Sequence, residues 1–126
     1  MVLVDTDVLI WYLRGNPKAK KVIDELGPFF VSSINYMELV QGARNKLDLI
    51  MLRRFIRARE IEVLHVNEEI SQKALFYTES FSLSHSLRTA DALIAATASV
   101  MGADLLTGNS RHYDPIKEIR VKKFLP

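Results

Sequence analysis

Four acidic side chains and one amide stand where their surroundings could make them reactive. Asp5 closes the apolar run Val2-Leu3-Val4, and Asp7 stands two residues on. Glu38 lies inside VSSINYMELVQGA, Asp91 inside ADALIAATASVMGA, and Asn109 follows Thr107-Gly108. Asp91 is the strongest anomaly. It is the one charged residue of a helical segment that is apolar or small nearly all round, and such a helix is normally buried. A lone buried carboxylate costs several kcal/mol unless a cation pairs with it. The structural alternative is relief by the helix dipole in the first turn. Asp5 reads either as a helix cap or as a ligand or nucleophile at a strand end. Asp7 reads equally as a first-turn acid and as part of a site. Glu38 sits at the edge of an apolar arc, and spacing alone makes it a solvated boundary residue. Asn109 alone reads as a turn residue.

The chemistry open to these groups is narrow. There is no cysteine, which removes disulfide scaffolds, thiolate zinc sites and thiol nucleophiles. The three histidines, His65, His85 and His112, lack a paired metal-binding spacing. No Gly-rich phosphate loop and no G-x-S-x-G elbow is present. His65 reads as structural, His85 as a loop residue and His112 as a surface residue close to Asn109. Carboxylates converging without histidine or cysteine suit hard cations, Mg²⁺ or Mn²⁺. Clustered carboxylates repel, which raises their pKa values until a cation arrives.

The elements that must position these groups alternate. Short strands are expected at 2–4 and 29–31, both buried, and at 62–64 and 104–107, with an edge strand near 121–124. Helices are expected at 7–13, at 18–26 behind Pro17, and at about 34–43 capped by Ser33. Further helices are expected at 46–59, at 68–82, and from a Thr89 cap to Gly102. This alternation implies an α/β fold, a three-layer α/β/α domain around a mainly parallel sheet of four to five strands. Ligands of such sheets bind beyond the carboxyl ends of the strands, where Asp5 and Asn109 fall.

The chain has 126 residues, 17 basic and 15 acidic, with a formal net charge of +2. That is one domain, 1–126, able to fold without a disulfide or structural metal. A hydrophobic content of 48% is too apolar for disorder. No apolar run is long enough to span a membrane, and the start MVLVDTDVLI does not read as a secretory signal, so a cytoplasmic location is expected. Arg44, Lys46, Arg53, Arg54, Arg57 and Arg59 crowd one segment. That segment reads as a solvated face, a nucleic-acid track or a site for an acidic partner. Arg14 and Arg88 lie closer in sequence to the acids and are candidates to touch phosphate.

Three stretches, VLVDTDVLIWYLRG, VSSINYMELVQGAR and TADALIAATASVMGADLLTGNSRHY, resemble the PIN-domain ribonucleases, in particular the VapC-type toxins of toxin–antitoxin pairs. The resemblance covers essentially the whole chain. It implies that Asp5, Glu38 and Asp91 are three acids of the family's metal site, and it moves Glu38 from boundary residue to ligand. The fourth position falls on Asn109, where many members carry aspartate. An amide can coordinate or orient water but brings no charge, which counts against a second ion. Thr6, Asp7 and Thr107 take supporting positions. The implied activity is Mg²⁺-dependent endoribonuclease action on tRNA or ribosomal RNA, by metal-activated water, leaving a 5′-phosphate and a 3′-hydroxyl. A homodimer and a cognate antitoxin are the implied partners.

Two rivals stay open at this point. Asp5-Thr6-Asp7 also looks like the D-x-D start of haloacid-dehalogenase phosphatases, with Asp5 as covalent nucleophile and Asp7 as general acid. The chain is short for that fold, and Glu38 and Asp91 would go unexplained. A PIN-like domain that only binds RNA or a partner is the non-enzymatic reading, and Asn109 favours it.

Overall fold

The computed structural model describes all residues, 1–126. Five strands form one sheet: β1 (Val2–Val4), β2 (Phe30–Ser32), β3 (Glu62–Leu64), β4 (Asp104–Thr107) and β5 (Val121–Lys123). Six helices connect them: α1 (Thr6–Leu13), α2 (Pro17–Leu26), α3 (Ser33–Gln41), α4 (Lys46–Ala58), α5 (Glu68–His85) and α6 (Thr89–Met101). A 3-10 turn covers Ser110–Tyr113. The strand order is β3-β2-β1-β4-β5, and every pair is parallel. The three-layer α/β expectation holds, with the last strand joining as a parallel edge beside β4.

Strand alternation divides the core into two. Leu3 and Leu105 face one cluster with Ile70, Tyr77, Ile94 and Ala95 of α5 and α6. Val4, Val31 and Leu106 face the other, with Leu9, Ile23 and Leu52 of α1, α2 and α4. The alanines of α6 let it sit close on the sheet, and Ala92, Ala95, Ala96 and Ala98 are fully buried. No helix is long and apolar enough to cross a membrane.

Several local expectations move by a residue or more. β2 runs one residue later than 29–31. Ser32, not Ser33, caps α3: its side chain accepts from Ile34 N at 3.0 Å, while Asn35 Oδ1 accepts from Ser32 N at 2.9 Å. This reciprocal box fixes the helix start tightly to the end of β2. Arg88, not Thr89, is the cap residue of α6, and no side chain caps that end. His85 belongs to the last turn of α5 rather than to a loop. The helix runs on through the polar residues after Ser82, stopping at Ser86 in the left-handed conformation.

The chain leaves β1 towards β2 and β3, then returns to place β4 on the other side of β1. That reversal opens a crevice at the carboxyl ends of β1 and β4. Asp5 N donates to Leu106 O at 2.9 Å, tying the two strand ends together.

Candidate metal centre

Asp5 leaves β1 at that crevice. It is 6% exposed, and its two oxygens accept four hydrogen bonds. Oδ1 accepts from Thr6 N at 2.8 Å and from Asn35 Nδ2 at 3.2 Å. Oδ2 accepts from Thr107 Oγ1 at 2.8 Å and from the Tyr113 hydroxyl at 3.0 Å. The cap reading of Asp5 is met, since it caps α1, and the same carboxylate is locked in a polar cage at the strand end.

Glu38 is brought to the same cage by α3. Thr6 Oγ1 donates to Glu38 Oε1 at 2.7 Å and accepts from Asn35 Nδ2 at 3.0 Å. Asp91, in the first turn of α6, lies 3.6 Å from His112 Nδ1. The three carboxylates feel one another's charge. Burial first, and then the charges of Asp5 and Asp91, raise the pKa of Glu38, against the pull of the Thr6 hydroxyl. Burial raises that of Asp91, with Asp5 adding to it and His112 and Arg88 opposing. No lysine or arginine forms an ion pair with Asp5, Asp7, Glu38 or Asp91.

Asp7 stands beside the cage. Its Oδ2 accepts from Gly108 N at 2.8 Å, and its Oδ1 is buried with no partner. Burial, and then the charge of Asp5, push its pKa up to about 6. A side chain at position 108 would run into this carboxylate, so the glycine allows the approach. Thr107 donates to Asp5 and accepts from Asn109 N at 3.0 Å. The Asn109 side chain is exposed at the lip and caps nothing.

Asp5, Glu38, Asp91, Thr6, Asp7 and Thr107 are therefore gathered in one crevice, with Arg88 at its rim. Arg14 is not. It ends α1 at the helix's far end, about 12 Å along the axis from Thr6 at 1.5 Å per residue. Two residues of the cage escaped the sequence reading, Asn35 and Tyr113. Asn35 is fully buried, and its place three residues before Glu38 put it on the same helical face. Tyr113 reaches Asp5 across the sheet edge, and no local signal could have pointed to it. Its burial and the surrounding carboxylates raise its pKa steeply, so it stays a proton donor.

The acidic donor set is oxygen-only and negatively charged, with no lysine or arginine paired to it and only His112 within 4 Å of Asp91, which fits a hard divalent cation. No three acidic or histidine side chains form a ready-made cage, so an ion here would keep part of its water shell, as Mg²⁺ usually does. The phosphatase reading gives no role to Glu38 and Asp91, the two half-buried carboxylates whose charges act on one another beside Asp5.

The PIN domain family model matches residues 2–117. The chain belongs to the PIN-domain family. It is 33% identical over 125 residues to ribonuclease VapC19 of Mycobacterium tuberculosis, covering 95% of this chain and 98% of that protein. It is 30% identical over 123 residues to ribonuclease VapC1 of Methanocaldococcus jannaschii, covering 96% and 85%. Among solved structures, VapBC2 from Rickettsia felis bound to a promoter DNA fragment superposes with a TM-score of 0.86 at 17% identity, over 99% of this chain and 100% of that one. DNA-bound VapBC from Salmonella typhimurium gives 0.83 at 24%, over 97% and 96%. These neighbours share the fold of this PIN domain.

Proposed function

We propose that this PIN domain is a metal-dependent endoribonuclease, the toxin of a toxin–antitoxin pair. The observation that carries the reading is the convergence of Asp5, Glu38 and Asp91 at the β1–β4 crevice with no lysine or arginine paired to them. Relatives named as ribonucleases, similar over nearly the whole chain, support the same activity. Asp5, Glu38 and Asp91 hold Mg²⁺, or Mn²⁺ in its place, directly and through water. When bound, the ion supplies an activated water and charge neutralisation at the scissile phosphate.

The chain's own groups do the rest. Asn35, Thr107 and Tyr113 fix both oxygens of Asp5. Thr6 orients Glu38. Asp7 holds the β4 loop through Gly108, and Asn109 offers its amide to the water or the phosphate. Arg88 contacts the RNA backbone. The substrate is of the tRNA or ribosomal RNA class, and the reaction leaves a 5′-phosphate and a 3′-hydroxyl. An antitoxin is the cognate partner, in line with the toxin–antitoxin complexes that share the fold. The working form is a cytoplasmic homodimer.

The test is cleavage of a mixed tRNA and ribosomal RNA pool by antitoxin-free protein with Mg²⁺, with Mn²⁺ and with chelator. Asp5→Asn and Asp91→Asn are run beside it. Discrete products that need the ion and vanish in both variants are expected. Products that persist in the variants would refute the assignment. The exposed amide at Asn109, in place of an acid, favours the second reading, a domain that only binds RNA or protein. RNA binding without ion-dependent cleavage would establish that one.

A further inference from the structure

A cavity of about 220 Å³ opens beside Asp91, lined by His85, Ser86, Leu87, Arg88, Arg111 and His112 as well. Its walls come from three places: the last turn of α5, the start of α6, and the 3-10 turn after β4. Arg88 and Arg111 are both exposed, and neither forms an ion pair. His85 has its Nδ1 engaged with Ser84 Oγ at 2.7 Å, which leaves its other ring nitrogen free. α6 begins here with no side chain capping it, so its first-turn N–H groups and the positive end of its dipole add to the field. The one acid on the wall is Asp91, which is shared with the carboxylate crevice.

The two guanidiniums form no ion pair, and the single half-buried carboxylate of Asp91 on the same wall offsets them only in part, which leaves an excess of positive charge over a concave surface. They are a good device for a phosphodiester, whose oxygens match the planar fork of arginine. The cavity shares a wall with the crevice that takes the scissile group, so one strand can run from one to the other.

We propose that the cavity formed by His85, Ser86, Arg88, Arg111 and His112 seats the RNA backbone phosphate next to the scissile one. The assignment rests on the nuclease reading for which phosphate is scissile. The anion site itself stands on the cavity and its unpaired arginines. Gripping the flanking phosphate sets the register of the strand against Asp91 and favours single-stranded RNA that can bend across the shared wall.

The test is binding of a labelled single-stranded RNA oligonucleotide in chelator, which separates binding from cleavage, followed across a range of salt. The proteins are the full chain, the Arg88→Ala/Arg111→Ala double variant, the Arg88→Lys/Arg111→Lys double variant, and Lys21→Ala as a charge control. Lys21 is exposed on α2, on the opposite face of the sheet from α6. The double alanine variant should bind roughly tenfold more weakly. Its slope of log affinity on log salt should shrink by about 1.4, two contacts at about 0.7 each for single strands. The lysine pair should keep the slope, and Lys21→Ala should change neither quantity.

An unchanged slope in the double alanine variant, or an equal loss in Lys21→Ala, would overturn the proposal. Unchanged RNA binding with weakened binding of polyglutamate would overturn it in favour of an acidic protein segment. Loss of ion-dependent cleavage in wild-type protein is a different failure. It would refute the nuclease reading while an arginine-dependent salt slope would still establish an RNA phosphate site.

Discussion

Burial and the neighbouring Asp5 carboxylate hold the Asp7 pKa at about 6, against 3.8 for the free side chain. A carboxyl group raised in this way binds its proton more tightly in the folded state than in the unfolded chain. Its contribution is fully present below the unfolded value and is lost as pH rises through about 6. Glu38 and Asp91 shift in the same direction. Ion-free protein should therefore be more stable near pH 5 than near pH 7.5, and urea unfolding at the two values checks the sign. Asp7→Asn should flatten this dependence and stabilise ion-free protein at pH 7.5 by on the order of 1 kcal/mol, after allowance for solvent screening. The amide oxygen can still accept from Gly108 N. A wild-type stability that rises between pH 5 and 7.5 would show that these acids are not mutually strained.

At the scale of elements, the site is a joint between β1, the start of α3 and the loop after β4. Asn35 joins the first two, and Thr107 and Tyr113 tie the third to Asp5. Asn35 donates to Asp5 and to Thr6 and accepts from Ser32 N. Asn35→Ala leaves those groups buried without their partner and should destabilise the protein by about 2 kcal/mol or more, read as a lower urea midpoint. Gly108→Ala should cost about 1–2 kcal/mol, because the new methyl group displaces the Asp7 carboxylate. A normal midpoint in either variant would mean that the joint tolerates loosening.

The strand at 2–4 and the placement of Asp5 at its end were legible in the sequence, since a continuous apolar run ended by a polar residue marks a buried strand and its carboxyl end, whereas Thr107 was placed beside Asp5 only by the family pattern. Asp91 was legible because a charge inside an alanine-rich helix conflicts with burial. Glu38 was legible only through the family pattern, since its own surroundings look like a helix boundary. Asn35 was passed over because an amide carries no charge to flag it. Tyr113 was out of reach because its bond to Asp5 spans 108 positions of sequence. Arg14 misled because nearness in sequence along a helix becomes distance along its axis.

For the whole molecule, the parallel sheet separates two apolar cores and leaves one polar crevice at the strand order's reversal. Both cores flank the crevice that collects the carboxylates, and burial together with their mutual charge raises the pKa values of Asp7, Glu38 and Asp91. α5 adds apolar surface, with Leu75, Phe76 and Leu83 all exposed. The central claim is that Asp5, Glu38 and Asp91 together hold one divalent ion, and the most direct test is thermal unfolding in chelator and in increasing Mg²⁺ or Mn²⁺. Wild-type protein is compared with Asp5→Asn, Glu38→Gln and Asp91→Asn. An ion at a hundred times its dissociation constant should stabilise wild-type protein by about 2.7 kcal/mol, which is several degrees of melting temperature for a domain of this size. Each variant should lose most of that shift; Glu38→Gln and Asp91→Asn should melt no lower than wild-type protein in chelator, whereas Asp5→Asn should melt lower, because its amide nitrogen would face donors on either oxygen position. An absent shift in wild-type protein, or the same shift in all four proteins, would contradict the account.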